Sequence, residues 1–147
     1  MKRSEVQIGR AGELVASGVI EAIGYRTVLC QQASFDMLIM RDDGTHYRVE
    51  VKTTMRAKGD PRRGGRGATR YSWNTATGSG SKTRLDPSAV DLLCLVALDR
   101  RRVYFKTVFD HTVLRYNLNE EKVLGVDEAK QLEDALSEID KQRCLRK

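Results

Sequence analysis

The sequence predicts an α/β or α+β domain built on a mixed sheet, and three observations carry that reading. Helical periodicity opens the chain, several strand-like runs follow, one of them wholly apolar, and a second helical pattern closes it. All 147 residues fit one domain of ordinary size, and no internal repeat or linker divides residues 1–147.

Residues 4–23 read as the first helix, because Ile8, Ala11, Gly12, Val15, Val19 and Ile23 recur at three- and four-residue spacing. Ser4 stands where an N-cap belongs, and Gly24 where a helix stops. Strand-like runs cover 25–30 and 35–41. Asp42, Asp43, Gly44 and Thr45 give a hairpin turn signal. In the strand at 47–53, Tyr47, Val49 and Val51 alternate with Arg48, Glu50 and Lys52, so one face is apolar and the other charged.

From 54 to 70 the composition changes to arginine and glycine, which reads as a flexible basic loop outside the core. A short strand at 71–74 and a polar Gly/Ser loop at 75–81 follow, with Lys82 and Arg84 continuing the basic character. Asp86-Pro87 marks a turn. Residues 90–98, VDLLCLVAL, are the most hydrophobic stretch and read as a buried central strand. A neighbouring strand at 102–108 is joined to it through Asp99, Arg100 and Arg101. Asp127 caps a last helix whose Ala129, Leu132, Leu136 and Ile139 form an apolar stripe, packed on the sheet or against another subunit.

Composition narrows the class. Lys and Arg number 26 against 20 Asp and Glu, a net charge of +6, which suits either a polyanionic partner or a solvated basic surface. No apolar run approaches the ~20 residues of a membrane span, and no signal-peptide segment follows the basic N-terminus. Cys30, Cys94 and Cys144 are too scattered for a disulfide framework or zinc knuckle; Cys30 and Cys94 lie in apolar runs and read as small core side chains. With only His46 and His111, no His/Cys cluster has metal-ligand spacing. The chain reads as cytoplasmic.

Glu50 and Lys52 share one strand face, and a hairpin about 42–45 brings Asp36 into their neighbourhood. Two close carboxylates repel each other, and a bound divalent cation removes that cost. Oxygen ligands suit Mg²⁺, and an adjacent lysine can orient water or offset charge on a phosphate oxygen. Such a set is suited to phosphodiester hydrolysis; the plainer reading of Glu-x-Lys is a solvated strand face. Glu13 lies among the small residues Gly9, Ala11, Gly12 and Ala16, either as a third acidic group or as an ordinary exposed helix glutamate.

The succession Gly9-Arg10-Ala11-Gly12-Glu13, Gly24-Tyr25-Arg26, Ser34-Phe35-Asp36 and Tyr47-Arg48-Val49-Glu50-Val51-Lys52-Thr53 resembles the PD-(D/E)XK nuclease superfamily. Within it the likeness is to small group I intron-associated homing endonucleases, and it extends through Tyr71, 90–93 and 103–105. Archaeal Holliday junction resolvases share the front-half layout. The resemblance implies a restriction-endonuclease-like core, a central mixed sheet flanked by helices. It implies that Glu13, Asp36 and Glu50 are acidic metal-site groups and Lys52 the catalytic lysine. The reaction it implies is Mg²⁺-dependent hydrolysis of DNA, with Mn²⁺ as a substitute, leaving 5′-phosphate and 3′-hydroxyl ends. The usual proline before the motif aspartate is absent, Phe35 standing there.

The functional expectation is therefore a site-specific, homing-type endonuclease acting on double-stranded DNA as a homodimer or higher homo-oligomer. A junction resolvase and a non-catalytic DNA-binding module are the alternatives. Arg56, Lys58, Arg62, Arg63, Arg66 and Arg70 either contact DNA phosphates and bases or form a solvated loop, and Lys82 and Arg84 stand beside them. Tyr71, Trp73 and Tyr104 are expected in the core rather than stacked on bases. Asp91 either holds a basic side chain or hydrogen-bonds near the site, unless it is solvated at the strand start. His111 is expected at the surface or satisfied in a loop.

Overall fold

A computed structural model describes residues 2–30, 34–77 and 81–146. Helix α1 spans Glu5–Ile23 and begins in a capping box: Ser4 Oγ accepts the Gln7 N–H at 3.2 Å, and Gln7 Oε1 accepts the Ser4 N–H at 3.0 Å. Gly24 ends it. Strands β1 (Arg26–Leu29), β2 (Met37–Met40) and β3 (His46–Thr54) form an antiparallel meander. The expected turn between β2 and β3 is closed by the Arg41 N–H donating to Thr45 O at 2.8 Å, and Asp43 Oδ1 accepts the Thr45 N–H at 2.8 Å.

Strand β3 then pairs in parallel with the apolar strand, here Leu92–Ala97, and that strand pairs antiparallel with Arg102–Thr107. A parallel neighbour demands a long crossover connection. The segment between them supplies it, and it is not the flexible loop that its composition suggested. Strand β4 (Lys58–Asp60), a 3₁₀ turn (Pro61–Arg63) and strand β5 (Arg66–Asn74) fold residues 58–74 into a hairpin. Gly59 permits this closure, since a Cβ there would stand 2.2 Å from the Gly65 carbonyl oxygen. The short strand expected at 71–74 is the end of this nine-residue one.

The apolar strand Leu92–Ala97 is β6, and Arg102–Thr107 is β7. Strand β8 (Arg115–Asn119), which the sequence pattern did not reveal, pairs with β5. Two helices follow, α2 (Glu120–Gly125) and α3 (Glu128–Leu145), the latter capped by Asp127 as expected. The result is a five-stranded mixed sheet, β1-β2-β3-β6-β7, flanked by helices, and a three-stranded sheet, β4-β5-β8.

Alternation sorts the side chains into two cores. Tyr47, Val49 and Val51 of β3 join Cys94, Val96 and Phe105 beneath Ala16 and Ile20 of α1 and Leu132, Leu136 and Ile139 of α3. The apolar stripe of α3 thus packs on the sheet. On the opposite face, Leu93, Leu95 and Ala97 meet Tyr71, Trp73 and Leu118 of the smaller sheet, and Trp73 Nε1 donates to Val96 O at 2.9 Å. Tyr71 and Trp73 are core side chains, stacked with ring centroids 5.7 Å apart. Tyr104 packs against the same cluster. Cys94 is buried, but Cys30 is only half-buried and Cys144 exposed. Of the Gly/Ser loop at 75–81, residues 78–80 lie outside the described residues. Among the described residues, no helix is long and apolar enough to cross a membrane.

Candidate functional site

The ladder between β2 and β3 ends at Met37 opposite Val49. One residue earlier, the Asp36 N–H still donates to Val49 O at 2.8 Å. The Val51 N–H, the next β3 amide on that side, donates to the Asp36 carboxylate instead, at 2.7 Å to Oδ2. A side chain has replaced a backbone acceptor, and the two strands part at this point. Glu50 and Lys52 project from β3 toward the smaller sheet, opposite Leu93 and Leu95 of β6. Lys52 Nζ lies 3.3 Å from Glu50 Oε1 and donates to Ala76 O at 3.4 Å. Both side chains are mostly buried, 16% exposed for Glu50 and 23% for Lys52.

Glu13 joins this group because α1 lies directly against β3. A Cβ on Gly12 would fall 1.7 Å from Thr53 Oγ1, so only glycine allows the approach. Burial and the neighbouring Asp36 carboxylate raise the pKa of Glu13, and Arg10 opposes them. Burial, followed by the charge on Asp36, pushes Glu50 up to about 7, with Glu13 adding to the rise and Lys52 opposing it. Three neighbouring carboxylates, two of them with raised proton affinity and a lysine beside them, are a place where positive charge is favoured. Among the described residues, no three Asp, Glu, His or Cys side chains are placed to hold a metal ion by themselves. One or two carboxylates completed by water and phosphate oxygens are the donor set that Mg²⁺ accepts. Asp36 and Glu50 fit that requirement.

The basic residues divide into separate places. Arg56, Lys58, Arg62 and Arg70 line a cleft of ≈ 570 Å³, whose wall begins at Thr54, two residues beyond Lys52 on β3. Arg70 is partly neutralised there by Asp60 at 3.1 Å. Arg63 and Arg66 are exposed at the hairpin turn and do not line that cleft. Lys82 and Arg84 line a different cavity, of ≈ 720 Å³, together with Phe109 and His111. Arg115 of β8 completes the first cleft and was missed in the sequence. The alternation of Tyr116 and Leu118 with Arg115, Asn117 and Asn119 was the available signal for it.

Two other candidates have structural roles. Asp91 pairs with Arg48 at 3.0 Å and Arg143 at 3.1 Å, tying β3 to α3. Burial works against its charge, but the hydrogen bonds from Arg48 prevail and hold its carboxyl below the usual range. His111 is buried, with Nε2 2.8 Å from Thr75 Oγ1. Burial and then Lys106 lower its pKa, so it stays neutral at pH 7.

No protein-family model and no curated protein matches the sequence. Among solved structures, the fold is similar to that of a bacterial homing endonuclease, I-Ssp6803I. The match covers 99% of each chain with a TM-score of 0.64, at 16% sequence identity.

Proposed function

We propose that this chain is a metal-dependent DNA endonuclease of the PD-(D/E)XK type. The observation that carries the reading is the convergence of Glu13, Asp36, Glu50 and Lys52 where β2 and β3 part, beside the cleft lined by Arg56, Lys58 and Arg62. Likeness to a fold that serves a homing endonuclease in another protein supports it, as does the motif spacing.

In this reading Asp36 and Glu50 would hold Mg²⁺, or Mn²⁺ in its place, and Glu13 adds negative charge to the same pocket. Such a cation, when bound, would supply Lewis-acid stabilisation of charge on the phosphate. Asp36 is fixed by the Val51 amide, so its carboxylate is oriented before substrate arrives. Lys52, held by Glu50 and the Ala76 carbonyl, orients the attacking water and offsets charge on the phosphate. Water adds to phosphorus and the bond to the 3′ oxygen breaks, leaving 5′-phosphate and 3′-hydroxyl ends. One such site cuts one strand, so duplex cleavage uses two copies of this domain in a symmetric homo-oligomer.

The test is cleavage of duplex DNA with Mg²⁺ by wild type, Asp36→Ala and Lys52→Ala, with binding measured in parallel. Cleavage should fall by at least ~100-fold in both variants, the scale of losing a positioned charge or base, while binding persists. Normal cutting by either variant would remove these residues from the active site.

A further inference from the structure

The three-stranded sheet has one face in the core and one in solvent, and the composition of the solvent face is unusual for a sheet. Tyr71, Trp73 and Leu118 point inward. Their alternates Ser72, Asn74, Arg115, Asn117 and Asn119 point outward, with Asn74 opposite Arg115 and Ser72 opposite Asn117. Asparagine is a poor strand former, yet three stand on this face. Strand stability does not account for them, and local hydrogen bonding accounts for Asn74 alone, through the Ala76 N–H. The side chain of Asn117 has no hydrogen-bond partner among the described residues, and Asn119 occupies the N-cap of α2 without making a side-chain cap bond.

We propose that this outward face, through Ser72, Asn74, Arg115, Asn117 and Asn119, reads base edges in the major groove of duplex DNA. The inference rests on the endonuclease reading and adds to it the residues that set the target sequence. Arginine and asparagine are the side chains that make two-point contacts to guanine and adenine, and serine accepts either. Three strands at the usual spacing span roughly 10 Å, which a major groove about 12 Å wide admits. Arg115 is pre-oriented, its Nη1 donating to Ser72 Oγ at 3.2 Å.

The face is also joined to both other parts of the site. It borders the basic cleft, whose lining includes Ser72, Arg115 and Asn117 beside Arg56, Lys58 and Arg62. Phosphate contacts on that flank would set the register in which bases meet the sheet. At its other end, Asn74 Oδ1 accepts the Ala76 N–H at 3.1 Å, and the Ala76 carbonyl accepts from Lys52 Nζ. Bases read at Asn74 therefore lie next to the phosphate presented to Lys52.

The experiment is selection of bound sequences from a library of randomised duplexes by wild type, Asn117→Ala, Asn119→Ala and Arg62→Ala, with Mg²⁺-dependent cutting of the selected DNA scored separately. Wild type should select a defined sequence. In Asn117→Ala and Asn119→Ala the ratio of preferred to unrelated affinity should fall roughly 5- to 100-fold at one or two base pairs, while other positions keep their preference. Arg62→Ala should weaken every sequence alike. Absence of any preference in wild type, or unchanged preference in both asparagine variants, would overturn the inference. A chain that selects a sequence without cutting it would keep this face and remove the endonuclease reading, and one that cuts without preference would do the reverse.

Discussion

Glu50 is the residue at which the electrostatics of the site are concentrated. Its carboxyl is mostly buried, and that burial, then the charge on Asp36 with Glu13 adding to it, pushes its pKa from the ordinary 4.5 up to about 7. A carboxyl whose folded-state pKa is raised favours the folded state when protonated, so its contribution falls as pH rises from about 4.5 through 7. Glu50→Gln should therefore raise the melting temperature of the metal-free protein at pH 8 by several degrees, on the scale of about 1–3 kcal/mol, and change it little at pH 4. Mg²⁺ should raise the melting temperature of wild type at pH 8 and not that of the variant. In the same sense, cleavage at fixed Mg²⁺ should decline as pH falls from 8 to 6, where a proton displaces the cation, and added Mg²⁺ should restore it. Loss of cleavage at the alkaline end alone would exclude Glu50 as the group that titrates. Strand alternation made the Glu50–Lys52 pair legible in the sequence, because period two admits one geometry. Glu13 was not legible in that way. Its place depends on how closely α1 lies against β3, which residue spacing leaves open.

That closeness is set between elements, at Gly12 and Thr53. A methyl on Gly12 would overlap the Thr53 hydroxyl, so Gly12→Ala should force α1 outward and cost about 1–3 kcal/mol, lowering the melting temperature by roughly 3–10 °C. Thr53→Ala in the same chain should recover part of the loss, and a purely additive double mutant would contradict the contact. Helices α1 and α3 and the apolar strand β6 were legible, because long periodic or wholly apolar runs have few alternative readings, whereas the six-residue α2 was not. The β4–β5 hairpin was not. Arginine and glycine over 56–70 carry the composition of a solvated loop, whereas pairing between β4 and β5 orders them, and β8, far along the chain, holds only the end of β5 from Arg70 to Asn74. β8 itself hides in five residues, of which only Tyr116 and Leu118 mark an inward face.

For the whole molecule, α1 and the place where β2 and β3 part carry the carboxylates and lysine, and the smaller sheet carries arginines and asparagines beside them. The net charge of +6 is not spread evenly, since the hairpin concentrates Lys58, Arg62, Arg63 and Arg66 at one end of the second sheet, with Arg56 just before it. Replacing Arg62, Arg63 and Arg66 by alanine should weaken DNA binding and flatten its dependence on salt, the slope falling by about one for each phosphate the protein no longer neutralises. An unchanged slope would assign the hairpin to bulk solvent. The central claim, a metal-dependent active site acting on duplex DNA, is tested most directly by incubating the protein with Mg²⁺ on genomic DNA and on a four-way junction, with Lys52→Ala beside it, and mapping the ends produced. The account predicts discrete genomic fragments with 5′-phosphate ends from wild type alone. Intact genomic DNA with symmetric nicking of the junction would make the chain a resolvase, and no cleavage of either substrate would contradict the account.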